Sequence, residues 1–265
     1  MTAQEFIMLC VYSLAGILGL CVGSFLNVVI YRLPNEMNLS KPGSHCPKCG
    51  YNLKWYDNVP VLSYCFLGGK CRKCKTRISP RYMIVEIVNA VLWLLAVALF
   101  WAESPVYACT VAVVCSSLIC IFFIDLEHML IFNRFTLLVA LGGVVAMFMG
   151  THTAWYDHLI GAAVGGATFL GLYYGAIAVL KQEGLGFGDV KYAAAAGLLL
   201  GWQKLLFAIL VASVAGAAVM VTANRVTDAD KRKEYPFGPY LVIGTLLALF
   251  AGDAVIAWYL GFLLR

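Results

Sequence analysis

Two aspartates in apolar surroundings are the residues of this chain best suited to acid–base chemistry. Asp125 closes one apolar stretch, and Asp189 lies in a Gly-x-Gly-Asp pattern at the mouth of another. Burying an ionised carboxylate near hydrocarbon is costly, and two carboxylates held close together cannot easily both ionise, so a facing pair would share a proton. One carboxyl group could then act as a base toward water and the other as an acid toward a carbonyl, as in aspartic proteases.

Each aspartate also has a purely structural interpretation. Asp189 could cap the helix that it begins, and Asp125 could end its helix in interfacial water. The Gly-x-Gly-Asp pattern is weak by itself, but Gly186 and Gly188 fit a catalytic role because a backbone without Cβ bends sharply and lets a substrate strand approach. Three nearby polar residues are predicted to be solvated interfacial groups: Glu127, His128 and Glu183.

Four cysteines form two pairs with the pattern Cys-x2-Cys-x21-Cys-x2-Cys: Cys46, Cys49, Cys71 and Cys74. This spacing is typical of a zinc ribbon. Two short turns would aim four thiolates at one tetrahedral ion, and a loop of this size has too little core to fold without the metal. Because four thiolates close the coordination shell, the predicted zinc is structural.

Unlinked thiols or two disulfides are the alternatives for these cysteines. The charge distribution described below places them in a reducing compartment, where disulfides rarely persist, and this favours zinc. The other cysteines are predicted to be small core residues: Cys10, Cys21, Cys65, Cys109, Cys115 and Cys120.

The composition indicates an integral membrane protein. Of the 265 residues, 62% are hydrophobic and 12% are charged, with a mean hydropathy of +0.84. The first apolar stretch is too long for the core of a signal peptide and has no basic region before it, so we expect a retained span. Eight stretches are candidate helices of an all-α membrane bundle: Phe6 to Ile30, Met83 to Trp101, Val106 to Ile124, Phe135 to Met149, Leu159 to Leu180, Val190 to Leu200, Leu205 to Ala223 and Leu241 to Leu264.

The sixth stretch, Val190 to Leu200, is short. At about 1.5 Å per residue it reaches only part-way through a hydrocarbon core of about 30 Å. It is therefore expected to be tilted, extended by its neighbours, or located beside a cavity.

The positive charges predict the orientation in the membrane. Ten of the nineteen Lys and Arg residues fall between Arg32 and Arg81, and the alternate loops that follow raise the share on that side to seventeen. Cytoplasmic loops are enriched in such residues, so the cysteine module is predicted to face the cytoplasm and both termini the periplasm. This asymmetry accounts for the net charge of +5 without a nucleic-acid partner.

Several blocks follow one another along almost the whole chain in the order of a known family: residues 23–34, both cysteine pairs, 57–64, 78–86, 124–127, 183–191 and 236–239. In these blocks the sequence resembles bacterial prepilin peptidases, the type IV leader peptidases of pilus and type II secretion systems.

The resemblance implies that Asp125 and Asp189 are the catalytic aspartates and that the four paired cysteines bind zinc. It implies an enzyme that cuts the short basic leader from prepilins or pseudopilins after a Gly, at the cytoplasmic face of the inner membrane. It also implies methylation of the new amino terminus with S-adenosylmethionine. The resulting organisation is a first membrane helix over residues 1–31, a zinc module over 32–82 and a membrane peptidase core over 83–265.

One position departs from the family pattern. The family usually has a Pro where this chain has Phe132, and losing Pro removes a fixed turn. Asn133 retains turn chemistry, and the predicted catalytic aspartate precedes the change, so we expect the loop to tolerate it. The segment Thr227 to Glu234 is predicted to be a solvated cytoplasmic loop.

Two other classes of protein share some of these features. An intramembrane protease of the presenilin kind has Gly-x-Gly-Asp, but its partner aspartate would lie deep in a span, whereas Asp125 ends its span beside Glu127 and His128. A zinc-ribbon scaffold or a proton-coupled carrier would also use intramembrane carboxylates. A scaffold would keep its partner binding when either aspartate is replaced, and a carrier would show ion-dependent flux.

Overall fold

The computed structural model of the protein is built from α-helices. It describes residues 2–149, 153–181, 185–226 and 235–263. The helices in these ranges are α1 (Ala3–Arg32), α2 (Leu62–Phe66), α3 (Arg81–Phe100), α4 (Pro105–His128), α5 (Asn133–Met149), α6 (Trp155–Leu180), α7 (Phe187–Leu200), α8 (Trp202–Val226) and α9 (Gly238–Leu263). A 3-10 turn at Trp55–Asp57 precedes α2, and the β-pairing in the described ranges consists of two isolated bridges.

The eight predicted apolar stretches all form helices, which confirms the all-α fold. Six of the described helices are long and apolar enough to cross a membrane: α1, α3, α4, α6, α8 and α9. The predicted count of about eight spans stays a prediction. Helix α5 is apolar but has 17 residues, and α7 has 14, about 21 Å at about 1.5 Å per residue. Glu183 and the predicted loop Thr227 to Glu234 lie outside the described residues.

The chain divides into two compact units, residues 1–120 and 121–265. In the first unit, α1 and α3 pack closely because Gly23 lies directly against the Glu86 backbone, where a Cβ would come within 2.7 Å of the Glu86 Cα. Asn27 Nδ2 donates to the Tyr82 carbonyl at 3.0 Å, and Asn89 Nδ2 donates to a carbonyl of α1 at 2.7 Å. Small residues and amide side chains therefore hold this helix pair together, as is common in membranes.

The second unit is arranged around α7, which packs against α5, α6, α8 and α9. Gly161 of α6 and Gly197 of α7 lie so close that a Cβ on either would overlap the other backbone, and Gly165 lies against Ala193 in the same way. These contacts make α6 and α7 antiparallel. Because protein surrounds most of α7, this helix can be shorter than the hydrocarbon core, and it ends at Gly201 with a φ of 78°.

The prediction that the remaining six cysteines are core residues is wrong for four of them. Cys115 and Cys120 are buried in the protein, whereas the exposed ones are Cys10, Cys21, Cys65 and Cys109. Helices that are apolar all round give no periodic signal for which face meets protein and which meets lipid.

Candidate active site and metal centre

Four cysteine thiols meet in the segment between α1 and α3. The Sγ atoms of Cys46, Cys49, Cys71 and Cys74 all lie within 4.8 Å of one another, and all four thiols are free. The Cys46–Cys74 and Cys49–Cys71 Sγ distances are 3.8 and 3.9 Å. Tetrahedral zinc with Zn–S bonds of about 2.3 Å requires sulfurs about 3.8 Å apart, so this cluster could hold a metal ion and has the dimensions of a zinc site.

Each cysteine pair lies in a tight turn of the same design. In the first turn, the Cys46 amide donates to the Tyr51 carbonyl and the Gly50 amide donates to the Cys46 carbonyl, both at 2.9 Å. In the second, the Cys71 amide donates to the Thr76 carbonyl at 2.8 Å and the Lys75 amide donates to the Cys71 carbonyl at 3.0 Å. The residue after each pair has a left-handed backbone, with φ of 65° at Gly50 and 59° at Lys75.

The surroundings of the thiols set their acidity. The side chain and backbone of Thr76 stabilise the Cys74 thiolate and lower its pKa to about 6. The backbone of Cys49 lowers the pKa of Cys46. At Cys49 the backbone of Tyr51 acts in the same direction, but burial and the neighbouring thiols raise the pKa to about 11. Four thiols this close do not all ionise by themselves, whereas a bound divalent cation holds each as thiolate.

A buried carboxylate joins the two turns. Asp57 is 5% exposed, and its Oδ1 accepts from Arg72 Nε at 2.7 Å while its Oδ2 accepts from Tyr51 Oη at 3.1 Å and from the Lys54 amide at 3.2 Å. Burial acts to raise the pKa of Asp57, but the hydrogen bonds from Arg72, Lys54 and Tyr51 outweigh it and hold the pKa below its ordinary value. Because Tyr51 follows one cysteine pair and Arg72 lies inside the other, Asp57 fixes them relative to each other.

Two further buried charges attach this module to its helices. Arg32, in the last turn of α1, donates to the Asn38, Leu39 and Pro42 carbonyls at 2.7 to 3.2 Å. Glu86 of α3 accepts from the Val61 amide at 2.7 Å. The segment that contains the cysteines is therefore anchored at both helices.

Asp125 lies in the last turn of α4 and is 5% exposed. Gly238, the first residue of α9, lies directly against its carboxyl group, and a Cβ at Gly238 would come within 2.9 Å of Asp125 Cγ. Asp125 Oδ2 is buried and has no hydrogen-bond partner in the part of the chain that the structure describes. Buried polar atoms are nearly always paired, so an unpaired carboxylate oxygen is a candidate for binding water or substrate.

Asp189 lies in the first turn of α7 and is 8% exposed. The residue at the cap position is Gly186, so Asp189 is not the N-cap of its helix. One carboxylate oxygen, Oδ2, lies over the Gly186 backbone, and the other, Oδ1, is buried without a partner among residues 2–149, 153–181, 185–226 and 235–263. Gly188 has a packing role, because a Cβ there would lie 2.9 Å from Ile131 Cβ in the connection between α4 and α5.

The structure brings the two aspartates together although 63 residues separate them in the sequence. Their carboxyl groups are close enough to interact electrostatically. Each also retains one buried oxygen without a partner in the described part of the chain. Two adjacent buried carboxyl groups hold a single negative charge more easily than two, so the pair can supply a base and an acid at one place.

Two family models and several curated proteins match this chain. A model of the bacterial peptidase A24 N-terminal domain matches residues 17–100, and a model of the type IV leader peptidase family matches residues 112–221. A protein of Aeromonas salmonicida named prepilin leader peptidase/N-methyltransferase is 34% identical, over 96% of this chain and 95% of its own length. The chain belongs to the type IV leader peptidase family. Proteins with the same name from Pseudomonas aeruginosa and Burkholderia pseudomallei are 34% and 36% identical over 93% and 91% of this chain, covering 92% and 85% of their own lengths. No solved structure matches the chain.

The position where this leader peptidase departs from the family pattern begins a helix. The Phe132 carbonyl accepts from the amides of Phe135 at 3.1 Å and Thr136 at 3.4 Å, the first turn of α5. The Asn133 side chain, which we expected to support a turn, instead accepts from Lys191 Nζ at 3.0 Å. Phe132 therefore takes the place of the family's Pro without breaking the connection between α4 and α5.

Sequence reasoning missed three residues that support the predicted site in this leader peptidase: Gly238, Asp57 and Glu86. Gly238 lies in a Pro-Phe-Gly-Pro sequence that indicates a turn, and nothing in that pattern reveals that its backbone lies against Asp125. Asp57 is the one carboxylate between the two cysteine pairs, in a segment rich in Lys and Arg. A single acidic residue in such a segment could have been recognised as a partner for one of these cations.

Proposed function

We propose that this protein is a membrane aspartic endopeptidase that removes the basic leader of type IV prepilins or pseudopilins by cutting after a Gly at the cytoplasmic membrane face. The observation that carries the proposal is the pair formed by Asp125 and Asp189. Both are buried and close enough to interact electrostatically, and each has one unpaired oxygen among the described residues. Family membership and the names of the relatives support the same reaction.

In the proposed mechanism the two carboxyl groups share one proton. The ionised group takes a proton from a water molecule, and the water oxygen attacks the scissile carbonyl. The protonated group donates its proton to the carbonyl oxygen and stabilises the tetrahedral intermediate. Collapse of the intermediate breaks the C–N bond, and the leaving nitrogen takes a proton from the aspartate that accepted one from water. One hydroxyl group of the intermediate returns a proton to the other aspartate, which gives the carboxyl product and restores the shared proton. No covalent link to the enzyme forms in these steps.

The four clustered cysteines are proposed to bind zinc as a structural ion. Their Sγ separations of 3.8 and 3.9 Å fit a tetrahedral zinc site, and four sulfur ligands leave no position for substrate. In this role the metal fixes the two cysteine turns, and Asp57 and Arg72 provide the second connection between them.

We further propose methylation of the amino terminus that cleavage exposes, with S-adenosylmethionine as methyl donor. This proposal follows from the names of the relatives, and we assign no residue to the donor. We also propose the organisation expected from the sequence: a first membrane helix over residues 1–31, the zinc module over 32–82 and the peptidase core over 83–265. The module and both aspartates would face the cytoplasm from the inner membrane, with both termini in the periplasm.

The test is cleavage of a purified prepilin whose leader ends in Gly. Wild type, Asp125→Asn and Asp189→Asn are incubated with this prepilin in lipid, and the products are measured by mass spectrometry. We expect wild type to cut after that Gly, and each variant to lose at least about 1,000-fold in rate, because neither base nor acid can be replaced by an amide.

Replacement of Glu127 by Gln serves as the matched control, since Glu127 is an exposed carboxylate two residues from Asp125. We expect it to cleave at nearly the wild-type rate. Equal cleavage by Asp189→Asn and wild type would remove Asp189 from the mechanism. No cleavage by the folded, zinc-loaded wild type with any of several prepilins would favour a scaffold or a carrier instead.

A further inference from the structure

An open, groove-like cavity of about 610 Å³ lies in the second unit along α7, between α5 and α6. Neither Asp125 nor Asp189 lines this cavity, and its lining contains no acidic residue. Its volume is within the range of about 300 to 1,000 Å³ that is typical of ligand sites. Neither the peptidase mechanism nor the zinc module uses it.

The charged residues of this cavity all lie at one end. Lys191 is the fifth residue of α7, and Arg134 is the second residue of α5. The two helices run parallel, because Lys191 meets Asn133 near their starts while Gly143 lies against Leu198 further along. Lys191 Nζ donates to Asn133 Oδ1 at 3.0 Å and stands 5.1 Å from the centre of the Phe187 ring. The mouth of the cavity is therefore cationic, and one of its two cations is held in place.

Apart from Thr136, the rest of the cavity is lined by apolar residues. Ala140 and Ala162 form its walls, and Leu198 lies two helical turns beyond Lys191, about 10 Å along α7 at about 1.5 Å per residue. The small side chains of the alanines are what leave the space open. A ligand that fits must combine an anionic group with a hydrocarbon segment that extends about 10 Å or more.

From this arrangement we infer that the cavity binds an anionic phospholipid, with its phosphate between Arg134 and Lys191 and its upper acyl chain along Ala140 and Leu198. Basic pockets between membrane helices are suited to such headgroups. A membrane-spanning segment with a basic leader is a poorer occupant, because Arg134 and Lys191 would repel the leader's charges. A bound anionic headgroup would offset this repulsion at Lys191, two residues from Asp189.

The experiment measures lipid binding by the full-length protein, so it does not depend on peptidase activity. Phosphatidylglycerol or phosphatidylcholine is titrated into the detergent-solubilised protein, and bound lipid is counted by native mass spectrometry. We expect the wild type to bind phosphatidylglycerol at least tenfold more tightly. The double variant Arg134→Gln/Lys191→Gln should weaken phosphatidylglycerol binding about 30-fold and leave phosphatidylcholine binding unchanged.

Two further variants separate the headgroup site from general effects. Lys181→Gln removes an exposed cation at the end of α6, on the same side of the unit but outside the cavity, and should bind phosphatidylglycerol like the wild type. Ala140→Leu fills the apolar part and should weaken binding of both lipids. Since Arg134 and Lys191 are exposed, the thermal midpoint of the double variant should match that of the wild type.

Four results would overturn the inference. The first is undiminished phosphatidylglycerol binding by the double variant. The second is an equal loss of phosphatidylglycerol binding in Lys181→Gln, which would show that binding depends only on the general positive charge of the surface. Displacement of the lipid by millimolar inorganic phosphate would identify a site for a free anion. Reduced capture of a prepilin by Ala140→Leu, with phosphatidylglycerol binding unchanged, would identify a peptide helix as the occupant.

Discussion

The Asp125 carboxyl group is positioned by a residue that has no side chain. Gly238 begins α9, and its backbone takes the space next to Asp125 that any larger residue would occupy. The opposite side of the pair is built in a related way, because Gly186 lies under Asp189 Oδ2. Both carboxyl groups are thus packed against glycine backbone, so their positions depend on close approach more than on hydrogen bonds from other side chains.

Replacing Gly238 by Ala is therefore expected to damage catalysis. The added Cβ would lie 2.9 Å from Asp125 Cγ, which is closer than carbon atoms tolerate, so the carboxyl group or the start of α9 must move. Displacements of about 1 Å in a catalytic group can cost about 100-fold in rate. We expect at least a tenfold loss in the rate of prepilin cleavage, measured by mass spectrometry of the products.

Gly261→Ala is the control for this prediction, because Gly261 lies in the same helix and a Cβ there meets nothing within 4 Å. It should cleave at the wild-type rate. A Gly238→Ala variant that keeps full activity would show that Asp125 does not need its present position.

Asp57 is the residue on which the geometry of the zinc module should depend. Asp57→Asn keeps the size of the side chain but removes the negative charge that pairs with Arg72. It also replaces one carboxylate oxygen by an NH2 group, which cannot accept hydrogen bonds from the neighbouring donors. We expect zinc to be released to a chelator about tenfold faster at pH 7, measured with a zinc-sensitive dye. Glu36→Gln, at an exposed carboxylate of the same module, should release zinc at the wild-type rate.

The difference in zinc release between Asp57→Asn and the wild type should depend on pH. The pKa of Asp57 is lowered in the folded protein, so its stabilising effect is present above the unfolded value of about 3.9 and is lost as the pH falls through the folded value. At pH 7 the effect is complete. Equal release rates for Asp57→Asn and wild type at that pH would contradict the proposed connection between the two turns.

At the scale of elements, the two cysteine turns have one backbone design and different sequences. The position after the second cysteine is left-handed in both, yet it is Gly50 in one turn and Lys75 in the other. Left-handed backbone costs about 1–2 kcal/mol for a residue with a Cβ. The second turn therefore carries a conformational cost that the first avoids.

Exchanging the residue types at these positions should change zinc retention in opposite directions. Gly50→Ala introduces the left-handed penalty without a clash, since a Cβ there meets nothing within 4 Å, and should speed release to a chelator by about 5- to 30-fold. Lys75→Gly removes the penalty and should slow release. The control is Gly43→Ala, at an open position of the same segment.

This pair of variants would refute the account if Gly50→Ala released zinc no faster than Gly43→Ala. If Lys75→Gly released zinc faster than the wild type, the account would fail for the second turn as well. The left-handed backbone at Lys75 would then not limit how tightly that turn holds zinc.

The sequence was sufficient for the helices and for the cysteine cluster, but not for the packing between helices. Long apolar stretches predict helices whatever surrounds them, and Cys-x2-Cys pairs carry their turn geometry locally. The contact between Gly161 and Gly197 could not be predicted, because a glycine in an apolar helix looks the same whether it faces a neighbour or lipid. The proximity of Asp125 and Asp189 was expected because the resemblance to prepilin peptidases implies that both are catalytic.

At the scale of the whole molecule, the cysteine cluster and the aspartate pair belong to different units. The cysteine cluster lies within residues 1–120, and both aspartates lie within residues 121–265. The matched family models divide the chain in a similar way, at residues 17–100 and 112–221. If the first unit carries methylation and the second carries cleavage, a substitution in one unit should leave the other activity in place.

Crossed variants would test this division with two substrates, an intact prepilin and a pilin that has already been cut. Cys71→Ser should lose zinc and methylate neither product, while still cleaving the prepilin at more than about half the wild-type rate. The reason is that the four clustered cysteines are distant from both aspartates in the sequence and take no part in the proposed cleavage mechanism. Asp189→Asn should fail to cleave the prepilin, and so fail to methylate it, but should methylate the already cut pilin as the wild type does. The mass of the pilin product, measured by mass spectrometry, reports both reactions, because cleavage removes the mass of the leader and methylation adds the mass of one methyl group.

Loss of cleavage in a folded Cys71→Ser variant would make the zinc module part of the peptidase. Loss of methylation of the cut pilin in Asp189→Asn would place the aspartate in both reactions.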